Sequence, residues 1–221
     1  GAEMVRYGWR TREEDGFIMV YDLPNGEEHA PMLAPDQAKQ LDAVEARWGL
    51  LCRMAGAHHG LPDGWLQAMI WRESAGNPRA RNPEGTPDPG NDGLGLLQIT
   101  SKALKGNRTD EQLFDPATNV DIGARYVAEL AHRYGFDFPK VSAAFNAGSV
   151  RPSDKNPWNL VQTGGHVSSE VAAYNTWLAH NSPRLTDADK ANVLASVWQT
   201  SATSTDEFTR GASLPEPDPA A

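Results

Sequence analysis

The chain has 221 residues, 39% of them hydrophobic, which is enough for one sizeable domain with or without small appendages. A formal charge of −9 and a pI of about 5.1 speak against nucleic acid as a partner, because such partners select a basic surface. The single cysteine, Cys52, rules out an intrachain disulfide and a cysteine zinc cluster, and no run approaches the ~18 apolar residues of a membrane span.

Residues 4–32 read as a small β-meander. Val5, Tyr7 and Trp9 alternate with polar residues, Asp15-Gly16 is a turn signal, and Phe17 to Tyr21 is β-rich. Asn25-Gly26 is a hairpin signal, with Glu27 to Met32 returning. From Pro35 the period changes. Leu41, Val44, Trp48, Leu51 and Ala55 trace a helical stripe that Gly60 ends, and Pro62 suits the first turn of the next helix. Cys52 reads as a small buried hydrophobe within that stripe. Ala75 to Gly95 is a long Gly/Pro/Asn/Asp loop, a kind that is more often functional than filler. Ser101 caps a short helix stopping at Gly106, and Asp115-Pro116 starts a longer one with Val120, Gly123, Val127, Leu130 and Tyr134 on one face. Pro139 to Asn146 is a helix closed by Gly148. A second irregular stretch, Ser149 to Gly165, precedes a helix capped by Ser168 or Ser169 that bears Val171, Tyr174 and Leu178. Thr186 to Asp189 resembles a capping box for a last helix through Val193, Val197 and Trp198. The reading is therefore a mainly α (α+β) chain in three parts: an N-terminal β extension, 1–34; a helical domain, 35–200; and a disordered, apolar-poor tail, 201–221.

Glu73 is the most informative residue. Leu66, Met69, Ile70 and Glu73 stand at i, i+3, i+4 and i+7 of one helix, so the carboxylate shares an apolar face. Desolvation there disfavours the ionised form, and a carboxylic acid that keeps its proton is what a glycosidase needs to protonate a leaving oxygen. The competing reading is an ordinary helix-end Glu paired with Arg72 or Arg79.

Three other segments carry unusual residues. Gly93 to Thr100 places Gln98, with both a donor and an acceptor, among glycines that admit close backbone approach. Ala143 to Gly148 is a small-residue helix end with one amide, Asn146, and Tyr174 lies in the late helix. Glu73-Ser74, Gly95-Leu96-Leu97-Gln98-Ile99, Ala144-Phe145-Asn146-Ala147-Gly148 and Glu170 through Tyr174, with Asn119 through Tyr126 between them, stand in one order. Together they resemble the motifs of the soluble lytic transglycosylases, peptidoglycan-cleaving members of the lysozyme superfamily. Leu97 replaces a Met and Phe145 a Tyr of those motifs, and the likeness covers roughly residues 50–180.

That resemblance implies a lysozyme-like helical domain with a groove for peptidoglycan glycan strands, and the bond from N-acetylmuramic acid to N-acetylglucosamine as target. It casts Glu73 as general acid and then base, with Ser74, Leu97, Gln98 and Phe145 lining the groove. Asn146 holds an acetamido group, and Tyr174 lies beside the acid. It implies no cofactor and no metal, a monomer, and action at the bacterial cell wall. The sugar's own 6-hydroxyl serves as nucleophile, giving a 1,6-anhydro product, so one carboxylate suffices. Two other functions stay open. One is a goose-type muramidase in which a loop acid (Glu84, Asp88 or Asp92) activates water. The other is a non-catalytic peptidoglycan-binding or phage structural component. The short form, lacking a signal segment or lipid-anchor cysteine, points to a phage lysin or virion-borne enzyme. His58 and His59 are sequence neighbours that point apart on a helix, a poor pattern for chelation. Trp65, Trp71 and Trp158 are candidates for sugar stacking, with core packing the commoner use of tryptophan.

Overall fold

In the computed structural model, residues 9–12, 18–23, 25–83, 85, 87–153, 156, 158, 160–161 and 165–181 are described. The Val5–Tyr7 strand, the Asp15-Gly16 turn, the last helix with its Thr186 cap, and the 201–221 tail lie outside them.

The fold is mainly helical, with two small antiparallel sheets. Strands β1 (Trp9–Arg12), β2 (Ile18–Asp22) and β3 (Glu28–His29) pair in that order, with Trp9 opposite Tyr21 and Tyr21 opposite His29. Gly26 takes φ +86 in the turn between β2 and β3, where the Gly26 N–H donates to the Leu23 carbonyl. The return strand is shorter than the sequence pattern suggests, because the chain after His29 turns to a different partner. The Leu33 N–H bonds Thr176 Oγ1, and the Pro31 carbonyl accepts from Asn175 Nδ2.

Helices α1 (Pro35–His59), α2 (Trp65–Ser74), α5 (Pro116–Arg133), α6 (Phe138–Ala147) and α7 (His166–Asn181) make the body. Short helices α3 (Lys102–Lys105) and α4 (Asp110–Phe114) link α2 to α5. Helix α2 is the centre: Trp65, Leu66, Ala68, Met69 and Ile70 are all buried, and so is Gln67, whose amide donates to Glu45 and Asp63. It packs between α1 and α7, while α6 packs on α5 and α7. Trp65, Trp71 and Trp158 are all in the core, so these rings serve packing and not sugar stacking. Cys52 is likewise buried, and burial pushes its thiol far up, which makes it an inert hydrophobe.

Several caps follow the sequence. Asp115 Oδ2 accepts the Thr118 N–H at 3.0 Å, Ser101 caps α3, and Gly60 in the left-handed region ends α1. Others do not. Helix α2 begins at Trp65, three residues past Pro62, because Gly64 at φ +96 lies against the Trp177 ring, where a Cβ would come within 2.5 Å of Cε3. Helix α7 begins at His166, before either serine. Ser169 Oγ donates back to the His166 carbonyl, and Ser168 Oγ accepts from Trp158 Nε1. Helix α4 is an element the hydrophobic period does not mark, although Thr109 and Gln112 form a capping box that does.

The sheet is clamped to α7. Ile18, Met19 and Val20 are buried there, and Asn175 pairs with Met19 like a strand neighbour: Oδ1 accepts its N–H at 2.6 Å and Nδ2 donates to its carbonyl at 2.8 Å.

Asp137, 5% exposed, caps α6 through the Lys140 N–H at 3.3 Å, and burial pushes its carboxyl up to about 6 against the nearby Lys140 ammonium. The folded state then binds more protons than the unfolded chain between the ordinary carboxylate range and about 6. Its contribution therefore falls as pH rises through that window. Asp137→Asn keeps the cap and removes the ionisation. Thermal melts should show the variant gaining on the parent, by on the order of 2 kcal/mol, between pH 4 and pH 7. Parallel stability–pH curves for the two proteins would discard this assignment.

Candidate active site

Glu73 is the penultimate residue of α2. Helix α2 ends there because Ala75 turns left-handed and Ser74 Oγ donates to the Ile70 carbonyl at 3.1 Å while accepting the Gly76 N–H. Ser74 thus ends the helix, and is not among the residues that wall the cavity beside Glu73. That cavity, of about 240 Å³, is lined by Arg72, Glu73, Asn82, Gln98, Thr100, Phe145, Asn146 and His166. Phe145 is the one apolar side chain among these eight residues. The setting of the acid is therefore polar, with the Glu73 side chain 18% exposed, and not the apolar one the helical spacing implies.

The floor comes from the stretch between α2 and α3. Strands β4 (Arg81–Asn82) and β5 (Gly93–Leu94) pair antiparallel, Arg81 opposite Leu94. The loop between them is fastened down: Arg81 Nη1 meets Asp92 Oδ2 at 3.1 Å, Asp88 pairs with Lys102, and Lys105 Nζ donates to the Gly90 and Asp92 carbonyls. Beyond β5 the chain turns through Gly95 at φ +78. A Cβ there would come within 2.3 Å of Asn119 Nδ2, so only glycine fits. Asn119, fully buried on α5, holds this turn: its Oδ1 accepts the Leu97 N–H, and its Nδ2 donates to the Leu94 and Leu113 carbonyls, all at 2.8 Å.

Gln98 follows in the left-handed region, φ 52, an unusual conformation for a residue with a Cβ and one that concentrates at functional sites. Its amide is fully engaged. Nε2 donates to the Ala80 and Gly95 carbonyls, and Oε1 accepts from Asn82 Nδ2 at 2.9 Å. Gln98 thus shapes the cavity wall through the protein's own bonds. Leu97 points the other way, fully buried against Gly123, where a Cβ would stand 2.3 Å from Leu97 Cδ1; its place is the core and not the groove.

Helix α6 delivers Phe145, half-buried, and Asn146, exposed on the cavity wall. Phe145 packs on Tyr126 of α5 with ring centroids 5.7 Å apart. Phe145, Gln98 and Thr100 also wall a second cavity of about 410 Å³, together with Ile99, Leu104, Tyr126, Glu129 and Arg133. Tyr174 is elsewhere. It is fully buried against Phe138 and beside Trp65, the first residue of α2, whereas Glu73 is near the last. At 1.5 Å per residue the two ends lie about 12 Å apart. The structure therefore gathers Glu73, Gln98, Phe145 and Asn146, and leaves Ser74, Leu97 and Tyr174 outside.

His166, which sequence reading passed over, and Glu170, which it named only as the start of the last motif, complete the site. His166 opens α7 with Nε2 at 3.8 Å from Glu73 Oε1 and 3.0 Å from Glu170 Oε2. Glu170 is fully buried, and the Ser142 hydroxyl of α6 donates to it. Burial lowers the imidazole's proton affinity, but the hydrogen bond and charge of Glu170, together with the charge of Glu73, outweigh burial and hold it above its ordinary value. The His-x-x-x-Glu spacing, one turn apart on a helix, is the signal that could have found this pair.

Residues 51–157 match the family model described as Transglycosylase SLT domain. The soluble lytic murein transglycosylase of Escherichia coli (strain K12) is 33% identical over 155 residues, covering 64% of this chain and 23% of the relative; the same protein of Escherichia coli O157:H7 matches equally. The chain thus spans about a quarter of the length of these relatives. Among solved structures, an inactive mutant of lytic transglycosylase Slt from Pseudomonas aeruginosa aligns with TM-score 0.41 and 20% identity, over 78% of this chain and 25% of that one.

Proposed function

We propose that this chain, whose residues 51–157 match the family model described as Transglycosylase SLT domain, is a lytic transglycosylase that cleaves the glycan strands of peptidoglycan. Glu73 protonates the oxygen of the bond from N-acetylmuramic acid to N-acetylglucosamine. The C1–O bond breaks through an oxocarbenium-like state, which the neighbouring acetamido group, held by Asn146, stabilises. The 6-hydroxyl of the same muramic acid then attacks C1 and gives its proton to the Glu73 carboxylate, restoring the acid. Products are a 1,6-anhydromuramic end and a new glucosamine 4-hydroxyl. Gln98 and Phe145 form the cavity walls, and no cofactor is needed. The place of action is the cell wall, where the polymer lies; among the described residues no helix is long and apolar enough to cross a membrane.

One observation carries the mechanism: among the described residues, which do not include Glu84, the carboxylates near Glu73 are unsuited to activating water. Glu170 is fully buried behind His166. Asp92 is 8% exposed, is held by Arg81, and is not among the residues of the Glu73 cavity. Among the described residues of the cavity, hydrolysis would need His166 as the base, and its setting favours the protonated form. The test is digestion of purified peptidoglycan in isotopically heavy water. Anhydro ends, unlabelled and resistant to borohydride, are expected. Labelled, reducible muramic acid would make the protein a muramidase, and binding without cleavage would make it a wall-binding module.

A further inference from the structure

The charged groups beside Glu73 extend into the core. Glu170 is fully buried, a costly place for a carboxylate without partners. It has two: the Ser142 hydroxyl on α6 and His166, 3.0 Å away and one turn earlier on its own helix. The same His166 nitrogen is 3.8 Å from Glu73, and its ring is 12% exposed, on the wall of the acid's cavity. One imidazole thus stands between a buried carboxylate and the acid, and α2, α6 and α7 meet at this point.

We propose that His166, clamped by Glu170 and Ser142, is a positioning residue that orients the Glu73 carboxyl and sets the pH at which it gives up its proton. The proposal rests on Glu73 being the acid. Its physical content is the balance of charges. A cation within reach of a carboxyl favours its ionised form; an anion does the reverse. From α2, Glu73 and Arg72 face the imidazole; from α7, Glu170; from α6, the neutral Ser142 hydroxyl. Arg72 opposes protonation of His166, while both carboxylates favour it. With His166 charged, Glu73 is shielded from the buried negative charge of Glu170, whose oxygens approach within 4.8 Å. Without it, Glu73 and Glu170 become neighbouring carboxylates of like charge, and one of them must keep a proton to higher pH.

The direction of the effect follows. General-acid cleavage needs protonated Glu73, so the alkaline limb of kcat/KM marks its deprotonation. In His166→Gln that limb should move to higher pH by about one unit or more, the size typical for a charge partner at this range. In the double variant H166Q/E170Q both opposing charges leave together, and the limb should lie between those of the parent and H166Q. The double variant also covers the case in which H166Q alone, leaving a buried carboxylate unpaired, does not fold. In the parent itself, carbon-detected NMR of the Glu73 carboxyl and nitrogen-detected NMR of the His166 ring should show each group reporting the other's titration.

A limb that stays in place in both variants, with any loss of rate uniform across pH, would make His166 a structural residue and overturn the proposal. Independent titrations in the parent would do the same. Failure of the underlying reading has a different signature: Glu73→Gln would cleave like the parent, whatever the NMR shows.

Discussion

Replacing Glu73 with glutamine leaves a folded protein whose turnover on peptidoglycan is lower by at least about a hundredfold, the usual size of a lost general acid–base group. Glutamine has nearly the same shape but no proton to give at neutral pH. The fold should survive, because the side chain is 18% exposed at the end of α2 and is not part of the core. Circular dichroism and a thermal melt establish the fold; product release from purified cell walls measures the rate. The variant also carries an internal check. The charge of Glu73 helps to hold His166 protonated, so the imidazole should titrate lower in the variant than in the parent. A Gln variant that cleaves at the parent rate would remove Glu73 from the chemistry.

The second large effect concerns a residue that touches no substrate. Asn119→Ala removes three hydrogen bonds at once and leaves the Leu97 N–H and the Leu94 and Leu113 carbonyls without the partner they have in the core. Each unsatisfied buried group costs about 1–3 kcal/mol, so denaturant melts should show a loss of at least about 3 kcal/mol. Asn119→Asp keeps the acceptor for Leu97 but loses both donors, and puts a carboxylate beside two carbonyls; it should do no better. Because Gln98 follows directly on the turn that Asn119 holds, residual activity should fall further than the folded fraction does. A loss under about 1 kcal/mol would mean that water or a shifted side chain replaces these bonds.

How much of this was legible in the sequence depends on the range of the interaction. Caps and turns are local, and Asp115-Pro116, Ser101, Gly60, Gly148 and Asn25-Gly26 sit in the structure where their chemistry puts them. The start of α2 was displaced by a contact between Gly64 and Trp177, residues far apart in sequence. The start of α7 moved because His166 and Glu170 have to stack one turn apart to be buried together. In the site, motif order located Glu73, Gln98, Phe145 and Asn146 on one cavity. It did not tell which way each neighbour faces. Leu97 and Gln98 are adjacent, yet one is in the core and the other lines the cavity, because Asn119 fixes the turn between β5 and α3. The setting of Glu73 was misjudged for a related reason. Helical periodicity reports the face of a helix, and the last turn of α2 emerges from the core among Asn82, Asn146 and His166, which other segments supply.

The Asn175 clamp bears on where this protein could be cut. Helix α7 carries His166 at its first residue and, nine residues on, the amide of Asn175 that pairs with Met19. The family match begins at residue 51, inside α1, well after the sheet. A fragment trimmed to that boundary would lose Ile18, Met19 and Val20 from the back of α7, and Leu41 and Val44 from the side of α2. It would expose apolar surface of the kind that drives association between molecules. The matched segment is therefore smaller than the packed unit: the N-terminal sheet, outside the match, is buried against the helix that carries His166.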